Sequence, residues 1–294
     1  MVVLQLEPVQ PYSFEATTRR LAHFEKTAYQ FREGFFYRTL HLKDRPLVVG
    51  IGWDGAQILV RAEEELSEAD RQCLKGMIRR MFSLDVELGP FYEQMKKEPR
   101  LAPIFESRRG LHFVLDPTLY ECLIKTIISQ QLNLAFAATL IERLIERAGE
   151  KIPFREEWLP VFPTPSQVAG LEYEDLQRLQ FNRRKAEYVI DISRKIVAGE
   201  LDLEGMKTLP DQLAIDQLVS LRGVGRWTAE CLLLFGMGRS DLLPAADIGL
   251  RNALKKAYGL DQQPTEADVR QWGENWTPWR SYATFYLWDY LSGS

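Results

Sequence analysis

The sequence predicts an α+β protein: a small antiparallel sheet domain with helices over residues 1–84, then an all-α core of two helical subdomains over 85–294. Three observations carry this reading. Short alternating runs separated by turn residues crowd the front of the chain, and from about Asp85 onward they give way to apolar residues at helical spacing. The length, 294 residues with 46% hydrophobic side chains, exceeds a typical single domain and suffices for a sizeable core.

Taken in order, Val2-Val3-Leu4-Gln5-Leu6 is a short strand, and a helical stretch follows from Phe14 to Phe24 with Leu21 among its apolar positions. Strand-like runs come next at Ala28 to Phe31, Phe35 to Leu42, Leu47 to Trp53 and Ala56 to Ala62. They are separated by Glu33-Gly34, Asp44-Arg45-Pro46 and Asp54-Gly55, the last favouring a tight hairpin turn because both residues tolerate positive φ. Ser67 caps an amphipathic helix running to Phe82. In the second part, Pro117 to Ser129 is helical, Gln130-Gln131-Leu132-Asn133 interrupts, and Asn133 caps a helix to about Arg147. Pro153 to Pro165 reads as a proline-rich loop. Helices follow near Glu172–Leu179, Asn182–Ala198 and Pro210–Val219, and after a glycine turn the chain closes with Asp247–Tyr258, Thr265–Asn275 and Trp279–Leu291.

Composition narrows the classes. A formal net charge of -4 argues against a protein that coats nucleic acid through bulk charge. A local basic face remains, since Arg178, Arg183, Arg184, Lys185, Arg194 and Lys195 fall together and Arg222 and Arg226 bracket the glycine turn. Cys73, Cys122 and Cys231 are too scattered for a disulfide framework, which suggests a reducing cytoplasm. No apolar run is long enough to span a membrane, and the N-terminus carries no secretion signal. His23, His41 and His112 are isolated, and neither Cys-x-x-Cys nor His-Glu-x-x-His occurs.

The stretch Leu221-Arg222-Gly223-Val224-Gly225-Arg226-Trp227-Thr228-Ala229 places two glycines around one apolar residue between helices. Taken alone, such a turn is usually only a turn. Glycine nevertheless permits close backbone approach, and free amides at the next helix start suit a phosphate. Asp247, before Ile248-Gly249-Leu250, is by itself a good helix N-cap worth about 1 kcal/mol.

The longer pattern, Leu-x-Gly-Val-Gly-x-Trp-Thr-Ala followed by Leu243-Pro244-Ala245-Ala246-Asp247, resembles the helix-hairpin-helix (HhH-GPD) DNA glycosylase superfamily. It is most similar to the AlkA-type, 3-methyladenine glycosylase II branch, which carries Trp where this chain has Trp227. The tail Trp276-Thr277-Pro278-Trp279 through Trp288 is similar to the C-terminus of that branch, and Phe181-Asn182-Arg183-Arg184-Lys185-Ala186 to a superfamily helix start. The resemblance implies an N-terminal sheet domain before a glycosylase core, with subdomains of about 110–230 and of 85–109 plus 231–294.

The resemblance also implies chemistry. Asp247 becomes cap and catalyst together, a fixed negative charge beside an oxocarbenium-like sugar. Trp227 and Trp288 line the base pocket, where an aromatic face attracts a cationic alkylpurine by about 0.5–2 kcal/mol. Cys231 stands where relatives often have another pocket aromatic, and Ala246 where a second aspartate sometimes precedes the catalytic one. Amides of Gly223, Gly225 and Thr228 face the DNA backbone, and Gln131 is the wedge that fills the gap left by the flipped base. The main-chain carbonyls of Val219, Leu221 and Val224 hold a monovalent cation, Na+ or K+. No other cofactor is implied, because the four-cysteine iron–sulfur loop of the endonuclease III branch is missing.

Members that also cleave the strand carry lysine at the Trp227 position, so the expected reaction is simple hydrolysis, inverting, without β-lyase activity. The implied partner is double-stranded DNA with a damaged base, acted on by a cytoplasmic, nucleoid-associated monomer that avoids membranes. Two other readings are a glycosylase for oxidised or deaminated bases, and a noncatalytic damage-binding protein in which Asp247 is only a cap.

Overall fold

The computed structural model describes residues 1–24, 29–43 and 45–293. The strand start expected at Ala28, the turn residue Asp44, the side chains of His23 and Phe24, and Ser294 lie outside the described residues. Strands β1 (Val2–Leu6), β2 (Gln30–Arg32), β3 (Phe35–Leu42), β4 (Arg45–Trp53) and β5 (Ile58–Ala62) form an antiparallel sheet in the order β1-β5-β4-β3-β2. A further hairpin pairs β6 (Lys151–Phe154) with β7 (Glu157–Pro160). The helices are α1 (Phe14–Thr18), α2 (Glu68–Met81), α3 (Gly89–Met95), α4 (Ala102–Glu106), α5 (Leu119–Ser129), α6 (Leu134–Ala148) and α7 (Pro165–Ala169). They continue as α8 (Tyr173–Gln177), α9 (Arg183–Val197), α10 (Asp211–Val219), α11 (Arg226–Cys231), α12 (Ile248–Tyr258), α13 (Glu266–Gly273) and α14 (Arg280–Ser292). The α+β class holds.

Side-chain alternation explains how the sheet is covered. Val49 and Ile51 of β4, with Ile58 and Val60 of β5, point to one face and pack with Leu74, Ile78 and Met81 of α2. On the other face lie Phe35, Tyr37 and Val48. There Gly50 and Gly52 have no side chain, because a Cβ would sit 2.5 Å from the Tyr37 ring and 2.6 Å from the Phe35 ring. Glycines at 50 and 52 therefore leave room for two aromatic rings of the neighbouring strand. Phe154 and Leu159 of the β6–β7 hairpin close that face.

This hairpin corrects two expectations: strand structure does not vanish after Asp85, and the first half of the stretch 153–165 is not a loop. Proline at 153 and 160 signalled a break. In a two-stranded ribbon, however, half the amides face outward, and a proline there forfeits no ladder bond. The expected helix over Phe14–Phe24 also divides, its second part (Arg19–Phe24) being a 3-10 helix.

Helices α3 to α14 share a larger core centred on Phe91, Ile124, Leu144, Ile190, Leu218, Leu232, Leu254 and Trp276. Buried charge joins the two cores. Arg38 of β3 donates from Nη2 to both Glu121 oxygens of α5, at 3.0 and 3.2 Å, and from Nη1 to the Tyr29 hydroxyl at 3.2 Å. Lys125 donates to Asp116 and to Glu121. Burial alone would push the Glu121 carboxyl up, but Arg38 and then Lys125 outweigh it and hold it below its ordinary value. Arg80 of α2 donates to the carbonyls of Gly236, Asp116 and Pro117, tying the helix on the sheet to the turn after α11.

Candidate active site

Helix α10 ends in a tight turn in which Leu221 N–H donates to Leu218 O and Val224 N–H to Leu221 O. Gly223 sits at φ +89°, and a Cβ there would lie 2.3 Å from the Tyr188 ring, so both backbone and packing demand glycine. Gly225 is different. Its φ of −88° suits any residue and a Cβ would meet nothing within 4 Å, which leaves its outer side open. As N-cap of α11 it offers no side-chain acceptor, so no side-chain cap bonds the first-turn amides of that helix. Thr228 is buried. The Leu221 carbonyl, one of the three expected at a cation, already accepts from Val224. Val219 is exposed and Val224 buried.

The expected wedge lies in the turn between α5 and α6. Gln131 is exposed and adopts φ +56°. Its neighbour Gln130 makes the long-range contacts: its Nε2 donates to the Gly223 carbonyl at 2.9 Å and to Thr228 Oγ1 at 2.8 Å. Lys185 is buried and donates from Nζ to the carbonyls of Ile128 and Gln130, both at 2.6 Å. Desolvation lowers its pKa. The sequence assigns neither residue a role of its own: Gln130 stands beside the expected wedge, and Lys185 belongs to the basic group and to the helix start that resembles the superfamily's.

Asp247 is the N-cap of α12, at φ −64° and ψ 125°. Its Oδ1 accepts from the Leu250 amide at 2.7 Å and from Trp288 Nε1 at 2.8 Å. The other oxygen, Oδ2, has no hydrogen bond among the described residues. The expected carboxylate and the expected indole are thus in direct contact, across 41 positions of sequence. Gly249 makes room: a Cβ there would stand 3.0 Å from Asp247 Oδ1 and 3.4 Å from the indole. Trp288 stacks on Phe235, centroids 6.0 Å apart and planes 19° apart. Phe235 reaches this position from a π-helical turn, Leu232–Gly236, in which Met237 N–H donates to Leu232 O. Such single turns shift the helix register locally and recur at functional sites. In the sequence, Phe235 only ends the short apolar run Cys231-Leu232-Leu233-Leu234-Phe235.

Cys231 is buried, and burial, then the charge of Asp247, push its thiol pKa up, so it stays neutral beside the carboxylate. Trp227 is not drawn into this group. It remains 40% exposed, and its indole makes no ring contact or hydrogen bond among the described residues. The basic residues flanking the hairpin are partly balanced: Glu187 accepts from both Arg183 and Arg222, and Arg226 pairs with Glu230 at 2.9 Å. Arg184 is exposed and forms no ion pair among the described residues. A cleft of about 760 Å³ between the sheet and α5, bordered by His41, Pro117, Phe162 and Leu203, contains none of these residues.

Comparison with known proteins gives the following similarities. Residues 124–278 match the family model described as HhH-GPD superfamily base excision DNA repair protein. A putative DNA-3-methyladenine glycosylase of Bacillus subtilis, YfjP, is 40% identical over 221 residues, 75% of each chain. Among solved structures, the 3-methyladenine DNA-glycosylase of Archaeoglobus fulgidus superposes with a TM-score of 0.86 over 98% of both chains at 22% identity. The Clostridium acetobutylicum 8-oxoguanine glycosylase/lyase bound to double-stranded DNA gives 0.79 over 99% of this chain and 98% of that one, at 20% identity. At these identities the two superpositions speak to fold.

Proposed function

The chain belongs to the HhH-GPD superfamily of base excision DNA repair proteins, and from that membership we propose that it is a monofunctional glycosylase releasing alkylated purines from duplex DNA. The observation that carries this reading is the Asp247–Trp288 pair. Two N–H donors hold one carboxylate oxygen and leave the other unengaged, against an indole stacked on Phe235. A 3- or 7-alkylated purine is a cation and needs no proton to depart. As its bond to C1′ breaks, the bonding electrons neutralise the ring and positive charge passes to the sugar. A fixed carboxylate stabilises that charge where it develops. Water then adds to C1′ from the face opposite the base and loses a proton.

The hairpin fits the accompanying grip on the strand. Open space at Gly225 and uncapped amides on α11 suit a phosphate oxygen, and an exposed Gln131 suits the vacated stack. Trp227 at the lysine position of the strand-cleaving members favours hydrolysis over Schiff-base chemistry. The exposed Trp227 fits a second aromatic wall that a flipped base would complete.

Asp247→Asn tests the proposal. Asparagine caps a helix about as well as aspartate, so stability should hold to within a few tenths of a kcal/mol. Release of 3-methyladenine from methylated duplex should fall by about 10²-fold or more, while abasic-DNA binding persists. A variant that keeps its rate would reduce Asp247 to a cap. A panel of methylated, oxidised and deaminated duplexes fixes the lesion, and borohydride trapping by the wild type would overturn the hydrolytic assignment.

A further inference from the structure

We propose that Gln130 is a positioning residue that locks the wedge turn to the glycine hairpin, so that gripping the strand and inserting Gln131 become one rigid event. The proposal rests on the DNA-glycosylase reading above and concerns how that reaction is prepared.

Gln130 follows α5 as its C-cap, and the chain then turns through the left-handed conformation of Gln131. A planar amide carries two N–H groups, and Gln130 uses both on the hairpin, toward Gly223 O and Thr228 Oγ1. These partners lie 93 and 98 positions away, on the two sides of Gly225. The peptide between Gly223 and Val224 is thereby held at both ends, its carbonyl by Gln130 and its N–H by Leu221 O. Behind the turn, the Lys185 ammonium takes the carbonyls of Ile128 and Gln130, at the negative end of the α5 dipole. It has no carboxylate partner among the described residues, so its buried charge is satisfied by the wedge turn itself. The backbone of Gln130 is fixed from one side and its side chain from the other. The direction of Gln131 follows from both.

A side chain that merely stabilised the fold would lower the melting temperature without changing what the wedge contributes. The two roles separate in a double-mutant cycle read on a duplex with a tetrahydrofuran abasic analogue flanked by 2-aminopurine, whose fluorescence reports unstacking. In the wild type, Gln131→Ala should reduce unstacking about tenfold. Gln130→Ala should do the same, and adding Gln131→Ala to it should change little, because a misdirected wedge has nothing left to lose. Gln130→Glu, the same shape with an acceptor facing the Gly223 carbonyl, should match or exceed the loss. Lys185→Met, approaching from the other side, should also abolish the effect of Gln131→Ala. The proposal alone is overturned if the wild type unstacks the reporter and Gln130→Ala equals it. The same holds if Gln131→Ala keeps its full effect in that background or is silent in the wild type. A wild type that neither unstacks the reporter nor releases base overturns the underlying reading as well.

Discussion

Replacing Trp288 with phenylalanine removes one N–H donor while keeping an aromatic ring against Phe235. Asp247 Oδ1 would retain only the Leu250 amide, and the carboxylate would turn more freely about its last bond. A hydrogen bond to a charged acceptor is worth about 1.5–3 kcal/mol, and about 1.4 kcal/mol is a decade in rate, which sets a ceiling of about a hundredfold. The indole bond exists before the reaction as well as during it, so only the part that strengthens as the sugar becomes cationic counts toward the rate. The expected outcome is a loss of about tenfold in the single-turnover release of 3-methyladenine. Affinity for abasic duplex, measured by anisotropy, should stay within about twofold. A release rate within twofold of the wild type would mean that the indole does not aim the carboxylate, and the site as drawn would be wrong.

Further outcomes follow from the same geometry. Gly223→Ala meets the Tyr188 ring at positive φ and should cost about 2 kcal/mol or more of stability in urea. Gly225→Ala, which has open space, should leave stability nearly unchanged yet weaken duplex binding; unimpaired binding would remove the hairpin from the DNA. His112 is buried with Nε2 against the Pro11 carbonyl, and burial lowers its pKa from 6.5 to about 4. The unfolded chain therefore binds the extra proton, so this stability is complete above pH 6.5 and is lost as pH falls toward 4. The shift corresponds to about 3 kcal/mol, and His112→Gln should flatten the urea midpoint across that window; an unchanged slope would refute it. Glu121→Gln leaves the Arg38 guanidinium buried without its counter-charge, a loss of about 3–5 kcal/mol readable in the same titration.

What could be read from sequence is what is decided locally. Ser67, Asn133, Asp247 and Thr265 cap helices where the sequence expects them to start, because a cap bonds an amide three residues on. Strands β3, β4 and β5 were legible for the same reason, but β4 begins at Arg45, so Arg45 and Pro46, expected in a turn, pair with Leu42 and His41 instead. The β6–β7 hairpin was not: four-residue strands containing proline gain their stability from the sheet they cover, and nothing within residues 151–160 announces that cover. At the site, Asp247 and Trp288 came from a motif, but the bond between them and the stacked Phe235 depend on three elements meeting. Nothing local distinguishes Gln130 from Gln131, because partners 93 and 98 positions away leave no periodicity in the sequence.

The hairpin laid over Phe35, Tyr37 and Val48 has a consequence for how the protein is made. In the finished fold α2 covers one face of the front sheet, and the other is covered by Phe154 and Leu159, which lie some seventy residues beyond the last residue of α2 in the sequence. A translation product halted near residue 84 would present two aromatic rings and a valine to the solvent, which is the kind of surface that draws chaperones or causes clumping. The front of the molecule is thus completed only by a loan from the part that follows it.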